Sequence, residues 1–112
     1  MKVKTFGSPF GSLTRTRVLL GLSLLEASYQ RELARLLNSS PSVVQKALSS
    51  LERDGLISGR LIGRTRSYGL NPRFFARTEF EAFLRRLAEA DTDLQARTAE
   101  LRRRPRRAGK RL

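Results

Sequence analysis

A chain of 112 residues is long enough for one compact domain and too short for two. It has no cysteine and no histidine, which excludes disulfides, thiolate or imidazole metal sites, cysteine nucleophiles and histidine general bases. The net charge is +13, and its distribution is uneven. Residues 1–78 carry 13 basic and four acidic residues, residues 79–100 carry three basic and six acidic ones, and residues 102–112 carry seven basic ones alone. A basic surface releases condensed counterions on meeting a polyanion, so nucleic acid is the first partner to consider; the competing reading is that the excess only keeps the chain soluble. No apolar run approaches the ~20 residues that span a bilayer, and Lys2 and Lys4 are not followed by a secretory-type apolar stretch, which predicts a cytoplasmic, nucleoid-associated protein without a membrane partner.

Residues 1–11 hold three turn-formers and no period, and read as an N-terminal arm. Ser12 or Thr14 caps a first helix to about Ala27, with an almost continuous apolar surface from Leu13, Val18, Leu20, Leu22, Leu24 and Leu25. Such a helix belongs in a core or a subunit interface. Tyr29 to Leu37 has helical spacing, with Tyr29, Leu33, Leu36 and Leu37 on one side. Asn38-Ser39-Ser40 interrupts it. Ser40 before Pro41 is a strong helix start, and the next helix, 41–53, places Val44, Leu48 and Leu51 on one side. Gly55 suits the left-handed position beyond its end.

Leu56 to Leu61 and Ser67 to Leu70 read as two strands around a turn at Ile62–Arg66, with Leu56, Tyr68 and Leu70 pointing inward. From about Arg73 the pattern is helical again. Phe80, Leu87, Leu94 and Leu101 recur at sevens, but Asp91 and Thr98 make the heptad weak. This predicts one long C-terminal helix over 73–101, a candidate dimerisation element, followed by a basic disordered tail over 102–112. The competing reading folds that helix back onto its own core. Phe74, Phe75, Phe80 and Phe83 either line an effector pocket or belong to the core, and no effector follows from the sequence.

The fold class is therefore mainly α with a small β-hairpin: a three-helix core and wing over 12–72, then the long helix. The second helix of the pair leaves Ser42, Val43, Gln45, Lys46 and Ser49 for solvent or for a major groove about 12 Å wide. Gln45 suits adenine, Lys46 guanine or a phosphate, and Val43 a thymine methyl. Ser40, Ser42 and the free N–H groups of the helix start, which opens with Pro41, suit phosphate contacts. Arg60, Arg64, Thr65 and Arg66 mark the hairpin as a second contact with a backbone or minor groove. Arg31, Arg102, Arg103, Arg104, Arg106 and Arg107 are candidates for nonspecific phosphate contacts. An ordinary solvated helix face and loop would also accommodate these residue types.

The segment Leu13 to Leu70 resembles the winged helix-turn-helix domains of ArsR-like and MarR-like transcriptional regulators. The resemblance is carried by Glu32-Leu33-Ala34 with Leu37, by Ser40, Val44 and Leu48, by Leu51 with Gly55-Leu56-Ile57, and by Tyr68-Gly69-Leu70-Asn71-Pro72. It implies homodimers on near-palindromic double-stranded DNA, mostly as repressors. Ala47 stands where such helices often have histidine, and the absence of cysteine and histidine argues against metal sensing by that route. Two other functions remain in competition, a charge-driven binder of RNA or chromatin-like DNA and a winged-helix protein-interaction adaptor. No glycine-rich phosphate loop appears, and the acidic residues of the C-terminal helix read as a solvated face, so an enzyme is not expected.

Overall fold

The computed structural model describes residues 8–103, which form five helices and a three-stranded antiparallel sheet. Helix α1 (Leu13–Leu25) starts at Ser12, whose hydroxyl accepts the Arg15 N–H at 3.1 Å. Its run from Val18 to Leu22 is fully buried, because α1 is the central helix: α2, α3, α4, α5 and strand β3 all pack on it. Most of the apolar surface expected to serve a core or an interface is thus covered within one chain, with Leu24 and Leu25 half-buried and Leu13 exposed.

A two-residue strand β1 (Ser28–Tyr29) precedes α2 (Gln30–Leu37), and α3 (Pro41–Arg53) follows across a turn. Asn38 takes a left-handed φ of 54°, and the Ser39 N–H bonds the Ala34 carbonyl at 3.0 Å, so the break at 38–40 is a compact helix end. Gly55, with φ +82°, ends the turn after α3 as expected. Strands β2 (Ile57–Ile62) and β3 (Thr65–Leu70) form the hairpin, and β3 lies between β1 and β2.

Two expectations need correcting here. The turn is only Gly63-Arg64, since Ile62 pairs with Thr65 and Leu61 with Arg66. Gly63 takes φ +66°, as the first position of a II′ turn requires, and such a turn matches the twist of its strands. Ile57 and Tyr68 are buried, and Leu56 and Leu70 pack half-buried against the core as expected, whereas Tyr29, expected on the side of Leu33, Leu36 and Leu37, is exposed. Strand β1 was invisible as a strand because two residues carry no period.

The single long C-terminal helix is in fact two, α4 (Arg77–Glu89) and α5 (Thr92–Arg103). Asp91 makes the break: buried, it accepts the Leu94 N–H on Oδ1 at 3.0 Å and starts a new helix. The break redirects α5 onto α1, α2 and α4, and Phe80, Leu84, Leu87 and Leu94 all enter the chain's own core. Arginines fasten this fold-back. From α5, Arg97 donates to the Leu36 carbonyl at 2.9 Å and Arg102 to the Leu24 carbonyl, while Arg17 joins α1 to α2 through the Leu37 carbonyl. Each thereby meets the negative end of α2 or α1. Burial, and then the charge of Arg97, lower the Arg17 pKa from the ordinary arginine value.

The phenylalanines divide. Phe80 is buried and Phe74 half-buried, with Phe10 edge-on to Phe80 at 5.7 Å, whereas Phe75 is 94% exposed and Phe83 lies at the surface. No described helix is long and apolar enough to cross a membrane.

Candidate nucleic-acid interface

Helix α3 is built as a presented helix. Its start is fixed by Ser40, whose Oγ accepts the Val43 N–H at 3.3 Å, and by Pro41 in the first turn. Val44, Leu48 and Leu51 are fully buried and Ala47 nearly so, which anchors one side against α1 and α2. The other side stays outside: Pro41, Ser42, Val43, Lys46 and Ser49 are exposed. The Ser40 and Ser42 hydroxyls lie 3.4 Å apart at the helix start, beside backbone N–H groups that no helical carbonyl takes.

Gln45 differs from its neighbours. It is half-buried, and its Nε2 donates to Ser49 Oγ at 3.1 Å and to Tyr68 Oη at 3.4 Å. Its Oε1 accepts from Gln30 Nε2 at 3.2 Å, and Gln30 also reaches the Pro41 carbonyl. The amide is therefore held in place by α2, α3 and β3 together. To read a base it must exchange part of this network, or use the lone pair that remains on Oε1.

The hairpin projects beside α3. Arg60, Arg64 and Thr65 are exposed on it. Arg66 is exposed too, but its Nη2 pairs with Glu52 Oε2 at 2.8 Å, and its guanidinium lies 5.8 Å from the Tyr68 ring centroid. The hydrogen bond and charge of Glu52 raise the Arg66 pKa above the ordinary arginine value. Glu52 Oε2 also accepts the Gly59 N–H at 3.2 Å, so one carboxylate holds both wing strands to α3. Residues 55–78 contain five arginines and no acid.

Of the proposed phosphate contacts, Arg31 is exposed on α2. Arg102 and Arg103 belong to α5 and not to the tail: Arg102 binds the Leu24 carbonyl and Arg103 pairs with Glu100. Arg104, Arg106 and Arg107 lie outside the described residues, as does most of the arm expected over 1–11. Sequence reasoning missed Gln30, Glu52 and the Tyr68 hydroxyl, whose partners are 14 to 23 positions away in the chain or defined only by the fold. It also missed Leu61 and Ile62, which stand exposed at the hairpin tip; two branched aliphatics beside a turn glycine were the available signal.

No protein-family model matches the chain, and no curated protein matches it. Among solved structures it is similar to reduced HlyU from Vibrio cholerae, at 27% identity and a TM-score of 0.60, over 79% of this chain and 84% of that one. It is similar to AdcR, the adhesin competence repressor of Streptococcus pyogenes, at 19% identity and 0.62, over 88% of this chain and 72% of that one. A mutant of ZitR from Lactococcus lactis matches at 22% identity and 0.59, over 80% of this chain; the chain spans 59% of the ZitR length.

Proposed function

We propose, on the premise that this chain has the winged-helix fold of ArsR- and MarR-type regulators, that it is a sequence-specific DNA-binding transcriptional regulator and not an enzyme. The observation that carries the reading is the division of α3: Val44, Leu48 and Leu51 are buried while Ser42, Val43, Lys46 and Ser49 face outward beside a basic hairpin. A helix with that exposed flank enters a major groove, and the wing follows the adjacent backbone or minor groove. Lys46 contacts guanine or a phosphate, Gln45 reads from its fixed position, and Ser40 and Ser42 meet phosphates. Arg60 and Arg64 supply the wing's phosphate contacts, with Thr65 beside them.

The protein acts as a homodimer in the cytoplasm, on the nucleoid. One winged helix makes few base contacts, whereas two copies related by a twofold axis span half-sites about 34 Å apart. Repression follows from occupying a promoter, the role that AdcR carries in its name.

Selection from a random duplex pool tests this. A motif with twofold symmetry is expected to be enriched, and Lys46→Ala combined with Gln45→Ala should cost about 1–3 kcal/mol of discrimination per lost base contact. Equal affinity for all duplexes would overturn the reading, as would binding that vanishes when residues 104–112 are removed.

A further inference from the structure

The apolar residues at the tip of the wing lie outside the hydrophobic core. Leu61 is 66% exposed and Ile62 56%. In the β2–β3 register Leu61 stands opposite Arg66 and Ile62 opposite Thr65, and successive residues of a strand point to opposite faces. Leu61 therefore continues the face that carries Gly59 and Tyr68, and Ile62 the opposite face, with Arg60. The tip is apolar on both sides and closes at Gly63-Arg64, well clear of the core, with every residue from Arg60 to Arg66 exposed.

Scattered surface aliphatics need no explanation, but two adjacent ones at the end of a projecting ribbon form a defined shape. Their surroundings say what the shape fits. Arg60 and Arg64 flank them, and no acid occurs between residues 55 and 78. An occupant with an apolar floor and anionic walls matches this pattern. The minor groove offers that combination, with base edges and sugars between two rows of phosphates, and inserted aliphatics are known to unstack base steps there. Two side chains are too few to anchor a protein to a lipid surface.

We propose that Leu61 and Ile62 form a wedge that enters the minor groove beside the site read by α3, partly unstacks a base step and bends the duplex. Arg60 and Arg64 hold the flanking phosphates. This rests on the DNA-binding reading above. A flexible pyrimidine–purine step under the wing costs least to open, so the wedge would add sequence preference at a position no polar side chain reads.

The full chain is tested on its selected duplex, with end-to-end energy transfer reporting the bend and 2-aminopurine under the wing reporting unstacking. The expected result is a bend of roughly 20–90° and a rise in 2-aminopurine emission. Leu61→Thr with Ile62→Thr, which keeps strand propensity at exposed positions, should still bind while both signals fall to those of free DNA. Arg64→Ala should weaken binding and flatten its salt dependence with the bend retained. Circular dichroism checks that each variant folds. Duplex binding by the intact chain without bend or emission change overturns the wedge and leaves the DNA-binding reading standing. Absence of any duplex binding overturns both. Capture of the intact chain, but not the threonine variant, by anionic vesicles would assign the tip to membranes and overturn the wedge.

Discussion

Arg66 Nη2 and Glu52 Oε2 lie 2.8 Å apart, joining the second wing strand to the last turn of α3. The same oxygen takes the Gly59 N–H, so one carboxylate bonds both wing strands to the helix, beside the Gln45–Tyr68 contact. Both side chains are partly exposed, 43% and 33%, and the pair therefore acts more through geometry than through stability.

Glu52→Gln keeps an acceptor for Gly59 and removes the charge that holds Arg66. Stability should change little, because both partners are partly exposed. The released guanidinium becomes available to a phosphate, so the slope of log affinity against log salt should steepen by about one. Titrations of the selected duplex at several salt concentrations measure this.

Gly59 is required by close approach. A Cβ there would stand 2.8 Å from Arg66 Nε and 2.9 Å from Tyr68 Cε1. Arg66 can swing away, but Tyr68 is only 4% exposed and has nowhere to go. Gly59→Ala should cost about 1–3 kcal/mol in denaturant unfolding, and disturb the Tyr68–Gln45 contact as well.

Leu94 tests the fold-back of α5. It is fully buried within one chain. Leu94→Ala should destabilise by about 2–5 kcal/mol, with the same loss at low and high protein concentration. A loss that appears only where dimers form would instead place Leu94 at a subunit interface.

Ser40 caps α3 through its hydroxyl. Ser40→Ala should cost about 1 kcal/mol, and Ser40→Thr should restore most of it. If Ser40 also meets a phosphate, alanine lowers duplex affinity beyond that loss, which binding assays well below the unfolding temperature separate.

Much of the candidate interface was legible because it depends on local signals. Ser40-Pro41 marked the start of α3 to the residue, and the spacing of Val44, Leu48 and Leu51 fixed which flank faces outward. The wing was legible as two strands, but its turn was drawn too wide, since pairing of Leu61 with Arg66 is a cross-strand fact. The C-terminal helix was drawn too long because Asp91 reads equally as a polar position in a helix and as a cap.

The helix–turn–helix–hairpin order and the basic character of residues 55–78 follow from the chain alone, for propensity, capping and charge are properties of near neighbours. Tertiary packing alone puts α1 at the centre of one chain's core, turns α5 back so that its Arg97 and Arg102 meet the carbonyl ends of α2 and α1, and pairs Arg66 with Glu52. Those outcomes depend on which distant surfaces bury one another, and a one-dimensional pattern does not encode the partner of an apolar face or of a charge.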